Sequence, residues 1–150
     1  MHEDYEIFSS LPGAGKALAA RLLTAFGTQR DRFNKAEDAA KYFGIAPVIE
    51  RSGNSTWIRW RYFCPRFLRQ SIHEFANCSI VHSFWAKAFY RQQRERGKSH
   101  HIAIRALAFK WIRIIFKCWK DKKPYSEVQY LKILQKKGSP LLAYAANNNT

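Results

Sequence analysis

The pattern of apolar and polar positions reads as a series of helices with one extended interruption near the middle. Tyr5 to Ser10 predicts a short first helix, and Leu11-Pro12-Gly13-Ala14-Gly15 a tight turn, since proline and paired glycines punctuate a chain. Lys16 to Phe26, rich in alanine and leucine, predicts a second helix that Gly27 stops. Asn34 sits where an N-cap belongs, with Glu37 three residues on as its capping-box partner, and a third helix follows to about Phe43. Ile45 to Glu50 reads as extended, because Pro47 biases the residue before it toward β backbone. Thr56 to Tyr62 alternates in part and carries β-formers. With Ser52-Gly53-Asn54-Ser55 as a turn, residues 46–62 make a hairpin insertion or two extended arms.

Helices then resume. Pro65 suits the first turn of one running to about Ser79, and Ser83 to Arg96 forms the next, closed by Gly97. Ser99 caps a long helix to about Lys120, which its apolar content marks as the expected central packing helix. Its Lys110, Arg113, Lys117 and Lys120 recur at spacings that share a face. Glu127 to Lys137 predicts a last helix after the break at Pro124, and residues 145–150 are expected to fray. The fold class is therefore mostly α, a helical bundle in one domain over 1–150.

Composition narrows the class. The chain has 150 residues, 47% hydrophobic and 15% aromatic, which supports a packed core and excludes a disordered tail. Its net charge of +15 favours a polyanion, nucleic acid or anionic membrane, over a basic partner. The charge is concentrated: fourteen Lys and Arg between Arg51 and Lys117 face only Glu74 and Glu95. Arg105, Lys110, Arg113 and Lys117 interrupt the most apolar stretch, Ile102 to Trp119, which argues against a bilayer span. Met1 to Glu6 lacks the apolar core of a secretory signal, and three cysteines, Cys64, Cys78 and Cys118, suit thiols in a reducing compartment. The expected setting is cytoplasmic.

Several segments carry candidate chemistry. Leu11 to Lys16 is not a phosphate-binding P-loop, since Ser10 and Ala17 occupy positions that need Gly and Ser/Thr. It reads as a helix-hairpin-helix turn, in which Gly13 and Gly15 permit close backbone approach and helix N–H groups with Lys16 hold a phosphate, or as an ordinary turn between helices. The five histidines and three cysteines show no paired zinc-ligand spacing, so no metal site is expected in this chain. Arg51, Arg59, Arg61, Arg66 and Arg69 interleave with Trp57, Trp60, Tyr62, Phe63 and Phe67, with no acid among residues 51–69. Guanidinium forks match phosphate geometry, whereas the aromatic rings suit the core better than a stacking surface. Lys98 and His100, at the basic start of the long helix, are further candidates for phosphate contact. Ser52, in a glycine turn among arginines, has the ingredients of a nucleophile that attacks phosphorus, with Glu50 the nearest carboxylate in sequence. By composition alone the plain polar turn is the favoured reading.

Three stretches in order carry a resemblance. They are Leu11-Pro12-Gly13-Ala14-Gly15; Gly44 to Ser55, followed by Arg59-Trp60-Arg61 and Phe67-Leu68-Arg69-Gln70; and Tyr90 to His100, continuing into Ala106-Leu107-Ala108. Together, over about residues 5–135, they resemble the C-terminal domain of the bridge-RNA-guided insertion-sequence transposases, the Piv-like serine recombinases. The resemblance implies DNA strand cleavage and transfer through a serine–DNA phosphodiester. Ser52, the serine of the Arg-Ser-Gly match, is the residue carried over; Ser55 is the runner-up, since sequence alone does not separate the two hydroxyls. Arg59, Arg61, Arg66 and Arg69 are phosphate ligands by charge and spacing, not by the resemblance.

Complete proteins of that family carry an N-terminal RuvC-like domain whose carboxylates bind Mg²⁺, and they use a guide RNA. Neither that domain nor its acidic cluster is in this sequence, so Mg²⁺ is expected only outside this chain. Strand cleavage is expected to fail without that domain. DNA is the expected partner, guide RNA a second by resemblance, and a homo-oligomer is expected of the full-length protein. Two other classes remain open at this point: a non-catalytic nucleic-acid-binding module, and an assembly domain whose basic face meets an acidic protein.

Overall fold

A computed structural model describes residues 3–45, 48–53, 55–59 and 66–147. Among them, helices α1 (Glu3–Ser9), α2 (Gly15–Phe26) and α3 (Ala36–Tyr42) precede a two-stranded hairpin, β1 (Val48–Ser52) and β2 (Ser55–Arg59). Helices α4 (Arg66–His82), α5 (Phe84–Glu95), α6 (His100–Asp121), α7 (Glu127–Lys136) and α8 (Pro140–Asn147) follow, and a 3₁₀ turn at Arg30–Arg32 joins α2 to α3. The mostly α expectation holds.

Helix α6 is the axis of the bundle. Ala103, Ile104, Leu107, Ala108, Trp111, Ile112, Ile115 and Trp119 are buried along it at three- and four-residue spacing. It packs against α1, α3, α4 and α5. Each large apolar side chain so buried contributes about 1.5–3 kcal/mol. Its ends are set locally: Ser99 Oγ accepts the Ile102 N–H, and Lys122 ends it in the left-handed region at φ 56°. Of the four basic residues expected on one face, Arg113 and Lys117 are exposed. Lys110 instead lies over the Phe89 ring, and Lys120 reaches the Arg30 carbonyl.

An aromatic cluster closes one side of α6. Phe26 packs against Phe8, Phe33, Phe43 and Trp119, with ring centroids 5.1–6.1 Å apart. Beneath it, Asp4 accepts two hydrogen bonds from the Arg30 guanidinium, at 2.6 and 2.8 Å, while Arg30 Nε donates to the Trp119 carbonyl. The carboxylate bonds hold the Arg30 pKa above its ordinary value. The acidic N-terminus is thus partly a core element.

The structure revises two local expectations. Lys35, not Asn34, is the N-cap of α3, and it makes no side-chain cap bond. Phe33 is buried in the aromatic cluster, and this anchor lets the helix start one residue later. Residues 145–150 were expected to fray, but α8 extends to Asn147. Leu141 and Ala145 are buried, and α8 packs against α5, which offsets the entropy of ordering the tail; residues 148–150 lie outside the described residues.

Candidate functional site

The hairpin pairs antiparallel in the register Val48↔Arg59, Ile49↔Ile58, Glu50↔Trp57, Arg51↔Thr56 and Ser52↔Ser55. Ser52 and Ser55 are therefore cross-strand partners at the closed end, the geometry of a two-residue connection. Gly53, in that connection, is exposed with φ +60°, and an added Cβ would meet nothing within 4 Å. Arg51 and Arg59 belong to the two strands; Arg61 lies outside the described residues.

Both ends of the hairpin segment are rooted at one place. The segment leaves the bundle at Gly44 and the buried Ile45, whose carbonyls accept hydrogen bonds from Arg105 Nη2 and Nε, each at 3.2 Å. It re-enters at Arg66, the first residue of α4. Arg105 and Arg66 both line a cleft of about 660 Å³ between α4 and the start of α6.

That cleft is built by helical periodicity. Arg66, Arg69, His73 and Asn77 follow one another at three- and four-residue spacing along α4, and His101 and Arg105 do so along α6, with His100 beside them. Glu74 is the carboxylate in the lining, and Arg21 of α2 donates to it at 2.7 Å. Tyr90 Oη lies 2.8 Å from His100 Nδ1, which fixes that ring at the rim. His73 is half-buried, and its Nε2 has no hydrogen-bond partner among the described residues. Burial, then the charges of Arg105, Arg69 and His101, lowers its pKa below the ordinary histidine value. Arginine forks beside an uncharged imidazole suit a phosphodiester.

The structure thus brings together three of the candidates from sequence, Arg66, Arg69 and His100. Gly13, Gly15 and Lys16 do not line this cleft. Gly13, at φ +91°, has its Cα against α4: an added Cβ would sit 2.9 Å from the Cys78 carbonyl oxygen. Its missing side chain serves helix packing. Gly15 faces open space, and Lys16 is exposed at the start of α2. Lys98 is exposed, and its carbonyl accepts from Arg94 Nη1. The phosphate-contact reading from sequence takes in His101 beside His100 but neither His73 nor Arg105, although the spacing of His73 from Arg69 and of Arg105 from His101 carries the signal. Among the described residues, no group of three or more His, Cys, Asp or Glu side chains gathers to hold a metal, and no helix is long and apolar enough to cross a membrane.

The sequence model of the transposase IS116/IS110/IS902 family matches residues 5–91, more than half of the chain. The chain belongs to this family. The match takes in the hairpin and the α4 wall of the cleft. Relatives of this transposase family include the candidate transposase of the IS117 mini-circle from Streptomyces coelicolor, 32% identical over 145 residues, covering 97% of the chain and 33% of the relative. Another is the uncharacterized 42 kDa protein of insertion element IS900 from Mycobacterium paratuberculosis, 32% identical over 126 residues, covering 83% of the chain and 31% of the relative. A third is the uncharacterized 43.6 kDa protein of IS110 from Streptomyces coelicolor, 31% identical over 119 residues, covering 77% and 28%. The chain spans about a third of the length of these relatives.

Proposed function

We propose that this domain binds DNA along the α4–α6 cleft and presents Ser52 as the nucleophile of an insertion-sequence transposase. The observation that carries the reading is the rooting of the Ser52 hairpin: Arg105 holds its departure, Arg66 begins its return, and both line the same basic cleft. In the step proposed, Ser52 Oγ attacks a backbone phosphorus. An Oγ–P bond forms, one ester P–O bond breaks, the serine proton is lost and the leaving oxygen gains one. The phosphoserine ester keeps the bond energy for rejoining. Arg66 and Arg69 hold backbone phosphates of the duplex in the cleft, at the foot of the hairpin and a strand's length from Ser52 at its closed end. Arg51, Arg59 and Arg61 are further phosphate ligands in this reading. Gly15 and Lys16 at the start of α2, with Gly13 shaping the turn, form a second contact to the backbone, as do Lys98 and His100.

The wider assembly follows from the resemblance. A RuvC-like domain would supply a carboxylate-bound Mg²⁺; the described residues here offer no group of three or more His, Cys, Asp or Glu that could hold one. Guide RNA is a second proposed nucleic-acid partner, and a homo-oligomer the proposed assembly of the longer protein.

The test joins this chain to a RuvC-like domain from a relative and assays covalent capture of DNA on a denaturing gel. Ser52→Ala is expected to abolish capture while duplex affinity and melting stay within error of the parent. Ser55→Ala is expected to retain capture. Equal capture by Ser52→Ala removes the nucleophile assignment. Duplex affinity is also expected to fall steeply with salt, because each phosphate neutralised contributes a logarithmic slope of about −0.9; a flat response removes the cleft from the interface.

A further inference from the structure

His73 is placed unlike the other groups of the cleft. It projects from the middle of α4, between the turn that carries Arg69 and the first turns of α6. The charged and titratable groups that face it are Arg66, Arg69 and Glu74 from its own helix and His100, His101 and Arg105 from α6. Arg21 of α2 stands behind Glu74. Trp111 and Ser79, farther along the same helix pair, satisfy each other at 2.8 Å. His73 Nε2, by contrast, is buried with no partner among the described residues. A buried polar atom of this kind is costly unless a partner arrives.

We infer that the α4–α6 cleft contains a phosphate subsite in which His73 Nε2 meets a phosphodiester oxygen and makes binding depend on pH. The inference rests on the DNA-binding reading above and deepens it. In the free protein the imidazole is neutral near pH 7, since burial and the neighbouring guanidinium groups disfavour its charge. An anion seated between Arg69 and Arg105 offsets that field. The imidazole then takes up a proton and donates Nε2–H to the anion, a charge-assisted bond. The sign follows from linkage: binding raises the His73 pKa, so affinity rises as pH falls through the bound-state value and levels off below the free-state value. A rise of about one unit corresponds to about tenfold tighter binding at the acidic limit than at the alkaline one. The exposed His82, at the far end of α4 and not in the cleft lining, takes no part.

The test uses the 150-residue chain. The imidazole resonances of ¹⁵N-labelled protein are titrated with pH alone, with inorganic phosphate, and with a mixed-sequence DNA duplex. Both ligands are expected to raise the His73 midpoint, the duplex by about one unit. In parallel, duplex affinity is measured by fluorescence anisotropy at pH about 5.5 and about 8 at fixed salt. The parent is expected to bind more tightly at the lower pH, with about tenfold as the ceiling at the acidic limit. His73→Gln is expected to lose most of that difference, and His82→Gln to keep it. The NMR titration of the unmodified chain decides the matter even if His73→Gln folds poorly. A His73 midpoint unmoved by duplex, with salt-sensitive duplex binding intact, overturns the subsite and leaves the DNA-binding reading standing. A midpoint moved by phosphate but not by duplex overturns its assignment to nucleic acid. No salt-sensitive duplex binding at either pH overturns both.

Discussion

Two glycines of one turn show how a single residue's surroundings decide its role. Gly13 and Gly15 both have positive φ, at 91° and 63°, but only Gly13 is pressed against other backbone. Gly13→Ala adds a clash with the α4 carbonyl of Cys78 to backbone strain of about 1–3 kcal/mol. Gly15→Ala incurs the strain alone. Urea denaturation is expected to show Gly13→Ala as clearly the more destabilised variant; equal loss contradicts the packing role. The sequence marks both as turn glycines and offers contact with a phosphate backbone as their reason; the packing of Gly13 on α4 is a separate reason that the sequence does not give. What the sequence withheld was the partner, Cys78, distant along the chain. Asp4 illustrates the same limit. Its pairing with Arg30 joins residues whose proximity no local pattern encodes.

At the scale of the element, capping and periodicity carry most of the information. Ser83 and Ser99 cap α5 and α6 through their side chains; the sequence reading names Ser99 as a cap and places Ser83 as the first residue of its helix. Where a long-range anchor competes, the local rule yields, as Phe33 moves the start of α3 past Asn34. The other end of α6 gives a prediction. Lys122 is exposed and left-handed at φ 56°, a conformation that costs a side chain about 1–2 kcal/mol and glycine almost nothing. Lys122→Gly is therefore expected to stabilise the domain by about 0.5–1 kcal/mol, read as a rise in melting temperature. A fall in melting temperature contradicts the account of how α6 ends. Residues 145–150 carry the expectation of a fraying terminus; the order of α8 as far as Asn147 comes from packing on α5.

At the scale of the molecule, the site joins parts that are far apart in sequence. The hairpin and its arginines were legible from alternation, a glycine turn and the lack of acids. The cleft was legible only in halves, as Arg66 and Arg69 on one helix and His100 on another. Its completion by His73, His101 and Arg105 depends on how α4 crosses α6, which the core residues Phe75, Trp111 and Trp85 fix through ring contacts of 4.6 and 5.0 Å. The bundle thereby places a basic cleft at the foot of the one hairpin among the described residues, and the proposed chemistry follows from that placement. The most direct measurement is mass-spectrometric mapping of the covalent DNA complex formed by the chain joined to a RuvC-like domain. Trypsin releases Ser52 to Arg59 as one peptide, whose fragment ions separate the two serines. The nucleotide remnant is expected on Ser52; a remnant on Ser55, or on a residue outside the hairpin, contradicts the assignment of Ser52 as nucleophile.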